Sequence, residues 1–246
     1  MDGQRVAVLT GAAGGLGVAA SRALGKTGVK VVMTDLAPDK AEAAAANLRS
    51  EGIDALGVGL DVVDCKAVDA LMTEIAKTHG RLDILANLAG IVRNDYLTKV
   101  KDEDFDLTLA SHVKGTMHCM RAAVPIMRAQ KYGRVINMSS VAALGAVAGT
   151  AYGAAKGAIE SMSRVAAIEN AKDGITVNCV APGMIAAGMF LTTPERFQAF
   201  NIDRTPMKRA GTAEEVAHCI AFFASPAASF VTGQTLFVCG GLSVGF

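Results

Sequence analysis

Short apolar runs alternate with Ala-rich segments of helical period along the whole chain. RVAVLTG is followed by a glycine-rich turn and GVAASRALGKTG, and KVVMTD is followed by DKAEAAAANLRSEG. The apolar runs are nearly continuous, which is typical of strands in a parallel sheet that is covered on both faces. The repeated order of strand and helix therefore predicts a doubly wound α/β fold, with a parallel sheet of about seven strands and helices on both faces.

No linker, repeat or low-complexity tract interrupts this pattern, so we expect a single domain over residues 1–246. The exception is an irregular stretch at about residues 184–209, which falls late in the chain between a strand and a helix. Open α/β sheets place substrate-covering loops at such positions. The stretch is therefore predicted to be a mobile flap over a substrate site.

Composition argues against several classes of function. The formal net charge is +1 and no run of Lys or Arg exceeds two residues, which gives no support to a nucleic-acid or anionic-membrane surface. The five cysteines lack Cys-x-x-Cys spacing, so we expect buried thiols in a reducing compartment and neither a metal site nor a disulfide framework. Without a signal-peptide pattern or an apolar run of about 18 residues, the chain is predicted to be a soluble cytoplasmic protein.

The stretch LTGAAGGLG, residues 9–17, follows the first strand and opens the first helix. Its glycines would let the backbone approach a pyrophosphate, and the helix N-terminus would supply N–H groups and a positive dipole end. Tight turns also need glycine, but strand, turn and helix here stand in the order of a dinucleotide-binding Rossmann fold. The predicted cofactor contacts in this loop are Gly11, Gly14, Gly15, Leu16 and Gly17.

An acidic residue, Asp35, closes the second predicted strand, 18 residues after Gly17. A carboxylate at that distance accepts hydrogen bonds from the adenosine ribose in dinucleotide-binding folds. It would also repel the 2′-phosphate of NADP, by roughly 4 kcal/mol at about 4 Å and an effective dielectric of about 20. An exposed acid at a strand end is the structural alternative. The position favours NAD over NADP.

A further pair of polar residues lies in TAYGAAKGAIESM, which places Tyr152 and Lys156 four residues apart and therefore on one face of a helix. Taken alone, such a pair is more often structural or solvated than reactive. With the glycine loop Thr10-Gly11-x-x-x-Gly15-x-Gly17, however, the chain resembles the short-chain dehydrogenase/reductase family over essentially its whole length. Among its members, the chain looks most like 3-oxoacyl-thioester reductases and bacterial secondary-alcohol dehydrogenases.

Three further segments carry the resemblance in the expected order. They are Asp61-Val62, where the family seats the adenine; Asn87-Leu88-Ala89-Gly90, similar to Asn-Asn-Ala-Gly; and NCVAPG at residues 178–183, similar to the segment that flanks the nicotinamide. The resemblance implies cofactor contacts beyond the glycine loop and Asp35. These are Asp61, Val62, Asn87, Ala89, Gly90, Tyr152, Lys156, Pro182, Gly183 and Ile185.

The family assigns catalysis to a Ser, a Tyr and a Lys. Tyr152 would exchange a proton with the substrate oxygen, and the Lys156 ammonium would favour the phenolate, because the ordinary pKa of tyrosine is near 10. The usual spacing to the tyrosine selects Ser139, whereas the strand pattern GRVINMSS selects Ser140. Strand register fixes side-chain direction while a loop can lose a residue at little cost, so we expect Ser140, with Ser139 as the alternative.

Three positions depart from the family pattern. His112, in SHVKG, stands where the family usually has an Asn that holds a water in the proton relay to the lysine. We expect His112 to keep that relay as a catalytic residue and to be able to titrate near neutrality, although a His that merely packs under the site is the alternative. Leu88 and Ala187 replace an Asn and a Thr that contact the cofactor region.

The leading hypothesis is an NAD-dependent oxidoreductase that interconverts a secondary alcohol and a ketone by hydride transfer. Its substrate would be a 3-hydroxyacyl or 3-oxoacyl thioester, or a small apolar alcohol, and the resemblance implies a homotetramer. A dinucleotide-binding sensor or scaffold that has lost turnover would explain the three departures together. A dehydratase or epimerase on the same fold would need a different acid–base set, which is not visible in the sequence.

Overall fold

The computed structural model describes residues 3–244, in which seven strands form one parallel sheet. The strands are β1 (Val6–Thr10), β2 (Lys30–Asp35), β3 (Ala55–Gly59), β4 (Ile84–Asn87), β5 (Gly133–Met138), β6 (Ile175–Pro182) and β7 (Thr235–Val238). Their order across the sheet is β3-β2-β1-β4-β5-β6-β7. The order reverses between β1 and β4, the position at which ligands bind in open α/β sheets.

Helices follow most of the strands. They are α1 (Gly15–Gly25), α2 (Pro38–Ser50), α3 (Cys65–His79), α4 (Asp102–Leu109), α5 (Gly115–Gln130), α6 (Thr150–Asn170), α7 (Glu195–Arg204) and α8 (Ala213–Ala224). The predicted doubly wound Rossmann fold is therefore confirmed. Among residues 3–244, no helix is both long and apolar enough to cross a membrane.

The stretch at 184–209 is less irregular than its sequence indicates, because it contains α7 and a 3-10 turn at Gly188–Thr192. The expectation of an irregular segment was wrong for a physical reason. Helix α7 buries none of its residues, so it has no apolar stripe facing a core, and such a stripe is the main sequence signal of a helix. Pro194 precedes the helix and fixes its start.

Two hydrophobic cores lie on opposite faces of the sheet. Ala7 and Leu9 of β1 face a core covered by α1, α2 and α8, whereas Val6 and Val8 face a core covered by α3, α5 and α6. Because successive residues of a strand point to opposite faces, a strand buried on both sides needs apolar residues at every position. This burial explains the continuous apolar runs of the sequence.

Asp83 fixes the amino-terminal edge of the sheet, just before β4. Its side chain is fully buried, accepts a hydrogen bond from the Val6 N–H at 2.8 Å and pairs with the Arg81 guanidinium at 2.7 Å. The contact ties the start of β1 to the start of β4. At the other end of the two strands, Thr10 then lies beside Asn87, so both strands finish at the same edge.

We expect Asp83→Ala to lower the free energy of unfolding by about 3 kcal/mol, because it removes the acceptor of a buried N–H and one partner of a buried ion pair. Asp54→Ala is the matched control, since it removes the exposed Lys30–Asp54 pair and should cost less than about 1 kcal/mol. Urea unfolding followed by circular dichroism measures both. Equal losses in the two variants would contradict the role given to Asp83.

Candidate active site

A cavity of about 370 Å³ lies at the carboxyl ends of the central strands. Most of the residues predicted from the sequence line it. These are Gly11, Gly14, Gly15, Leu16, Gly17, Asp35, Ala89, Gly90, His112, Ser140, Tyr152, Lys156, Pro182, Gly183 and Ile185. The fold thus brings residues from five strand ends and two helices to one place.

Three predicted cofactor contacts lie outside the lining of this cavity. Asp61 and Val62 follow the end of β3; Asp61 accepts the Val63 N–H at 2.9 Å, and Val62 packs against α5. Asn87 is buried below the cavity and donates to Asn137 at 2.8 Å. Their cofactor contacts remain predictions, whereas their observed contacts support neighbouring elements.

The glycine loop is folded tightly over the end of β1. Gly11 has φ +63°, and a Cβ there would lie 2.8 Å from the Ala89 Cα, so this position requires glycine. The Thr10 hydroxyl accepts the N–H groups of Leu88 and Ala89 at 3.1 Å each. The sequence analysis assigned no role to Thr10. Its position as the last residue of β1, at the edge where the strands end, could have indicated one.

Helix α1 begins at the cavity with no side-chain cap. Its N-cap residue is Gly14, which makes no side-chain hydrogen bond, so the N–H groups of the first turn lack a side-chain acceptor. An uncapped helix N-terminus beside glycines is suited to bind a pyrophosphate. Asp35 also lines the cavity, and its carboxylate accepts the N–H groups of Ala13 and Ala37 at 3.3 Å each. These residues fit a dinucleotide.

Tyr152 and Lys156 lie one turn apart on α6, as their spacing predicts. The Lys156 side chain is 3% exposed and its ammonium donates to the Met138 carbonyl at 2.7 Å. Burial lowers the pKa of Lys156 to about 7. Burial also raises the pKa of Tyr152, and a hydrogen bond with Ser140 acts in the opposite direction. Both groups are therefore held closer to their uncharged forms than in water.

The two candidate serines have different partners. Both serines line the cavity. Ser140 accepts the Ala142 N–H at 3.1 Å and lies near enough to Tyr152 to lower the pKa of its hydroxyl. The Ser139 hydroxyl instead donates to Glu160 at 2.6 Å, and the residue is buried. The hydroxyl of Ser139 is thus engaged with Glu160, whereas Ser140 lies beside Tyr152, and the assignment of Ser140 stays a prediction.

His112 lies in a π-helical turn, Ala110–Lys114, between α4 and α5. Its Nε2 is 2.8 Å from the Ile91 carbonyl oxygen, its Nδ1 is 3.3 Å from the Lys156 ammonium, and its ring stands edge-on to Tyr152 at 5.3 Å. π-helical turns occur frequently at functional sites. No feature of the sequence predicted this one.

The expectation that His112 titrates near neutrality was wrong. Burial and the adjacent Lys156 charge lower the pKa of His112 to about 3, so the ring is neutral around pH 7. Gly90 makes the close packing possible, since it has φ +158° and a Cβ there would lie 2.0 Å from a carbon of the ring.

Comparison with known proteins places these features in context. A family model described as enoyl-(acyl carrier protein) reductase matches residues 11–243. The (2S)-((R)-hydroxy(phenyl)methyl)succinyl-CoA dehydrogenase subunit BbsD of Thauera aromatica is 38% identical over 240 residues, which cover 98% of this chain and 97% of that protein. The 3-oxoacyl-(acyl-carrier-protein) reductase FabG of Staphylococcus aureus is 34% identical over 238 residues, covering 96% and 97%. The crystal structure of gox2181 superposes with a TM-score of 0.94 at 32% identity, covering 98% of this chain and 96% of that one.

The low pKa of His112 makes the stability of the protein depend on pH. The pKa of about 3 in the folded state lies below the ordinary 6.5, so unfolding takes up a proton between these values. Stability from this group is complete above about pH 6.5 and is lost as the pH falls towards 3. On lowering the pH from 6.5 to 4.5, the wild type should lose about 2 kcal/mol more unfolding free energy than His112→Asn.

Urea unfolding of both proteins at the two pH values measures this difference. His218→Asn, which replaces an exposed histidine of α8, controls for the loss of a surface imidazole. If the wild type and His112→Asn lose equal free energy over this range, His112 is not held neutral.

Proposed function

The chain belongs to the short-chain dehydrogenase/reductase family, and from this premise we propose that it is an NAD-dependent enzyme that interconverts a secondary alcohol and a ketone. The family consists of oxidoreductases that act on hydroxyl and ketone groups and bind a nicotinamide dinucleotide cofactor. The observation that carries the finer proposal is the arrangement of Ser140, Tyr152 and Lys156 at one cavity with Asp35.

Tyr152 is the proposed general acid and base. It takes the hydroxyl proton when an alcohol is oxidised and returns a proton to the oxygen when a ketone is reduced. Ser140 donates a hydrogen bond to the same substrate oxygen and stabilises the charge that develops there. When bound, the nicotinamide supplies the hydride acceptor or donor at its C4 atom.

Lys156 has two proposed roles, which both depend on its ammonium. The charge lies 5.3 Å from the centre of the Tyr152 ring and lowers the free energy of the phenolate. Its remaining hydrogen-bonding capacity holds the nicotinamide ribose. A neutral Lys156 would perform the first role poorly, so activity should depend on the proton that this buried group holds near neutral pH.

The cofactor-binding residues are proposed from the same cavity. The N–H groups at the start of α1 bind the pyrophosphate, and the Asp35 carboxylate accepts the adenosine ribose hydroxyls. Pro182, Gly183 and Ile185, at and beyond the end of β6, contact the nicotinamide end.

Several exposed apolar side chains support an apolar substrate, covered by a flap at residues 184–209. Phe190 lines the cavity, and Phe197 and Phe200 of α7 are about half exposed. Two of the compared proteins are named for acyl-thioester substrates, one of them with a phenyl group. We therefore propose a 3-hydroxyacyl or 3-oxoacyl thioester, with a small apolar alcohol as the alternative.

The assembly we propose is a homotetramer located in the cytoplasm. β7 lies at one edge of the sheet, and apolar side chains near it and on α6 are exposed, including Phe230, Leu236 and Ile168. Such patches favour association between copies. The five cysteines are free, which suits a reducing compartment.

The first test follows NADH formation with matched alcohols: 3-hydroxyacyl thioesters, small cyclic alcohols, aryl carbinols and a steroid alcohol. We expect turnover of at least one class, and a fall of about 100-fold or more in Tyr152→Phe, because the proton-transferring group is lost. NADH binding, measured by fluorescence titration, should persist in that variant.

Tyr132→Phe is the matched control. Tyr132 is buried beside Arg5 just before β5, at the end of the sheet opposite the cavity, so its substitution should leave turnover unchanged. NADH binding without turnover of any class in the wild type would contradict the proposed enzyme and favour a dinucleotide-binding sensor or scaffold.

Cofactor choice tests Asp35 separately. We expect kcat/KM to be higher with NAD than with NADP, and Asp35→Asn to shift that ratio towards NADP by about 10-fold or more, because the charge that repels the 2′-phosphate is gone. Asp39→Asn, which removes an exposed acid in the first turn of α2, should leave the ratio unchanged. A wild-type preference for NADP would overturn this assignment.

A further inference from the structure

The orientation of the His112 ring also fixes its proton. The Nε2 atom faces the Ile91 carbonyl oxygen at 2.8 Å, and a carbonyl oxygen can only accept a hydrogen bond. Nε2 therefore carries the proton of the neutral ring, and Nδ1 carries a lone pair. That lone pair is directed at the Lys156 ammonium, 3.3 Å away.

The Lys156 ammonium has three N–H donors, and their partners come from separate elements. One donates to the Met138 carbonyl at the end of β5, and a second donates to His112 Nδ1 from the π-helical turn. None of residues 3–244 is found to accept the third. Lys156 lines the cavity, so two fixed donors leave one for a group bound there.

We infer that His112 is a positioning residue, whose Nδ1 accepts directly from Lys156 and so orients the ammonium towards the cavity. The inference rests on the proposed function, in which Lys156 holds a ribose and stabilises the phenolate. It replaces the expected water relay through His112. The Nε2 proton faces a backbone carbonyl, which has no proton to exchange, so the ring is a poor link in a proton chain.

Few other charged groups face this pair. On α6, the Glu160 carboxylate accepts a hydrogen bond from Ser139 and lies 4.0 Å from Arg164. Tyr152 lies beside both His112 and Lys156. From β6, the Cys179 thiol is kept neutral because burial raises its pKa to about 11. Lys114 of the π-helical turn is exposed. The titration that matters near pH 7 is therefore that of Lys156.

Two substitutions separate the two contacts of the ring. In His112→Asn, the side-chain oxygen replaces Nδ1 as an acceptor for Lys156, while the bond to Ile91 is lost. In His112→Gln, the terminal amide replaces Nε2 as a donor to Ile91, while the δ position is a carbon that accepts nothing. The two variants have side chains of the same chemistry. The Asn variant preserves the contact with Lys156, and the Gln variant removes it.

The test measures the Lys156 pKa by NMR titration of protein with ¹³C-labelled lysine side chains and no cofactor, with Lys156→Met to assign the signal. We expect His112→Asn to leave this pKa close to that of the wild type, and His112→Gln to lower it by about one, because an acceptor of the charged form is lost.

With NAD and the substrate found in the panel, kcat at pH 7 should fall about 10-fold in the Gln variant and less than about 3-fold in the Asn variant. The apparent kinetic pKa for alcohol oxidation should rise in the Gln variant alone.

Equal Lys156 pKa values in the wild type and both variants would overturn the inference, and so would an Asn variant impaired as strongly as the Gln variant. If the Gln variant does not fold, Gly90→Ala displaces the ring without removing it and should lower the Lys156 pKa in the same way. A wild type without turnover would overturn the proposed function instead, and the titration would still decide whether His112 holds Lys156.

Discussion

The buried ammonium of Lys156 is the interaction on which the site depends. A charge that is 3% exposed costs several kcal/mol to bury unless hydrogen bonds offset the loss of water. The Met138 carbonyl and His112 Nδ1 provide two such bonds, and they come from β5 and from the turn before α5. Any movement of β5 or of this turn relative to α6 would leave the buried charge without a hydrogen-bond partner. The ammonium therefore stabilises the relative positions of β5, the turn and α6.

A buried hydrogen-bonded network below the cavity supports this arrangement. Asn87 at the end of β4 donates to Asn137 of β5, which donates to Ser163 of α6, and the Cys179 thiol of β6 donates to the same hydroxyl. Buried polar groups are costly unless they are paired, so a connected set allows few alternative packings. The network links β4, β5, β6 and α6. It gives Asn87 a structural role that is independent of any contact with a cofactor.

The parts of the site that depend on neighbouring residues in the chain were predictable from the sequence. Local geometry alone determines three features: the glycine loop, the position of Asp35 at a strand end, and the spacing of Tyr152 and Lys156. The structure brings all three to one cavity. The choice between Ser139 and Ser140 was harder, because it depends on which face of β5 each side chain takes and on the distant Glu160. The π-helical turn and the contacts of His112 with Ile91 and Lys156 were out of reach, since they join segments more than 20 residues apart and leave no periodic signal.

The opposite pKa shifts of Tyr152 and Lys156 have one physical cause. Burial disfavours the phenolate and the ammonium alike, raising the pKa of one and lowering that of the other, yet the two charges stabilise each other when both are present. Because each charge favours the other, the pKa values that a pH–rate profile reports would belong to the pair rather than to either residue. A neutral His112 adds an acceptor without adding a competing positive charge. A protonated ring would instead present a donor and a like charge to the ammonium. The low pKa of His112 keeps the ring neutral and so avoids both effects.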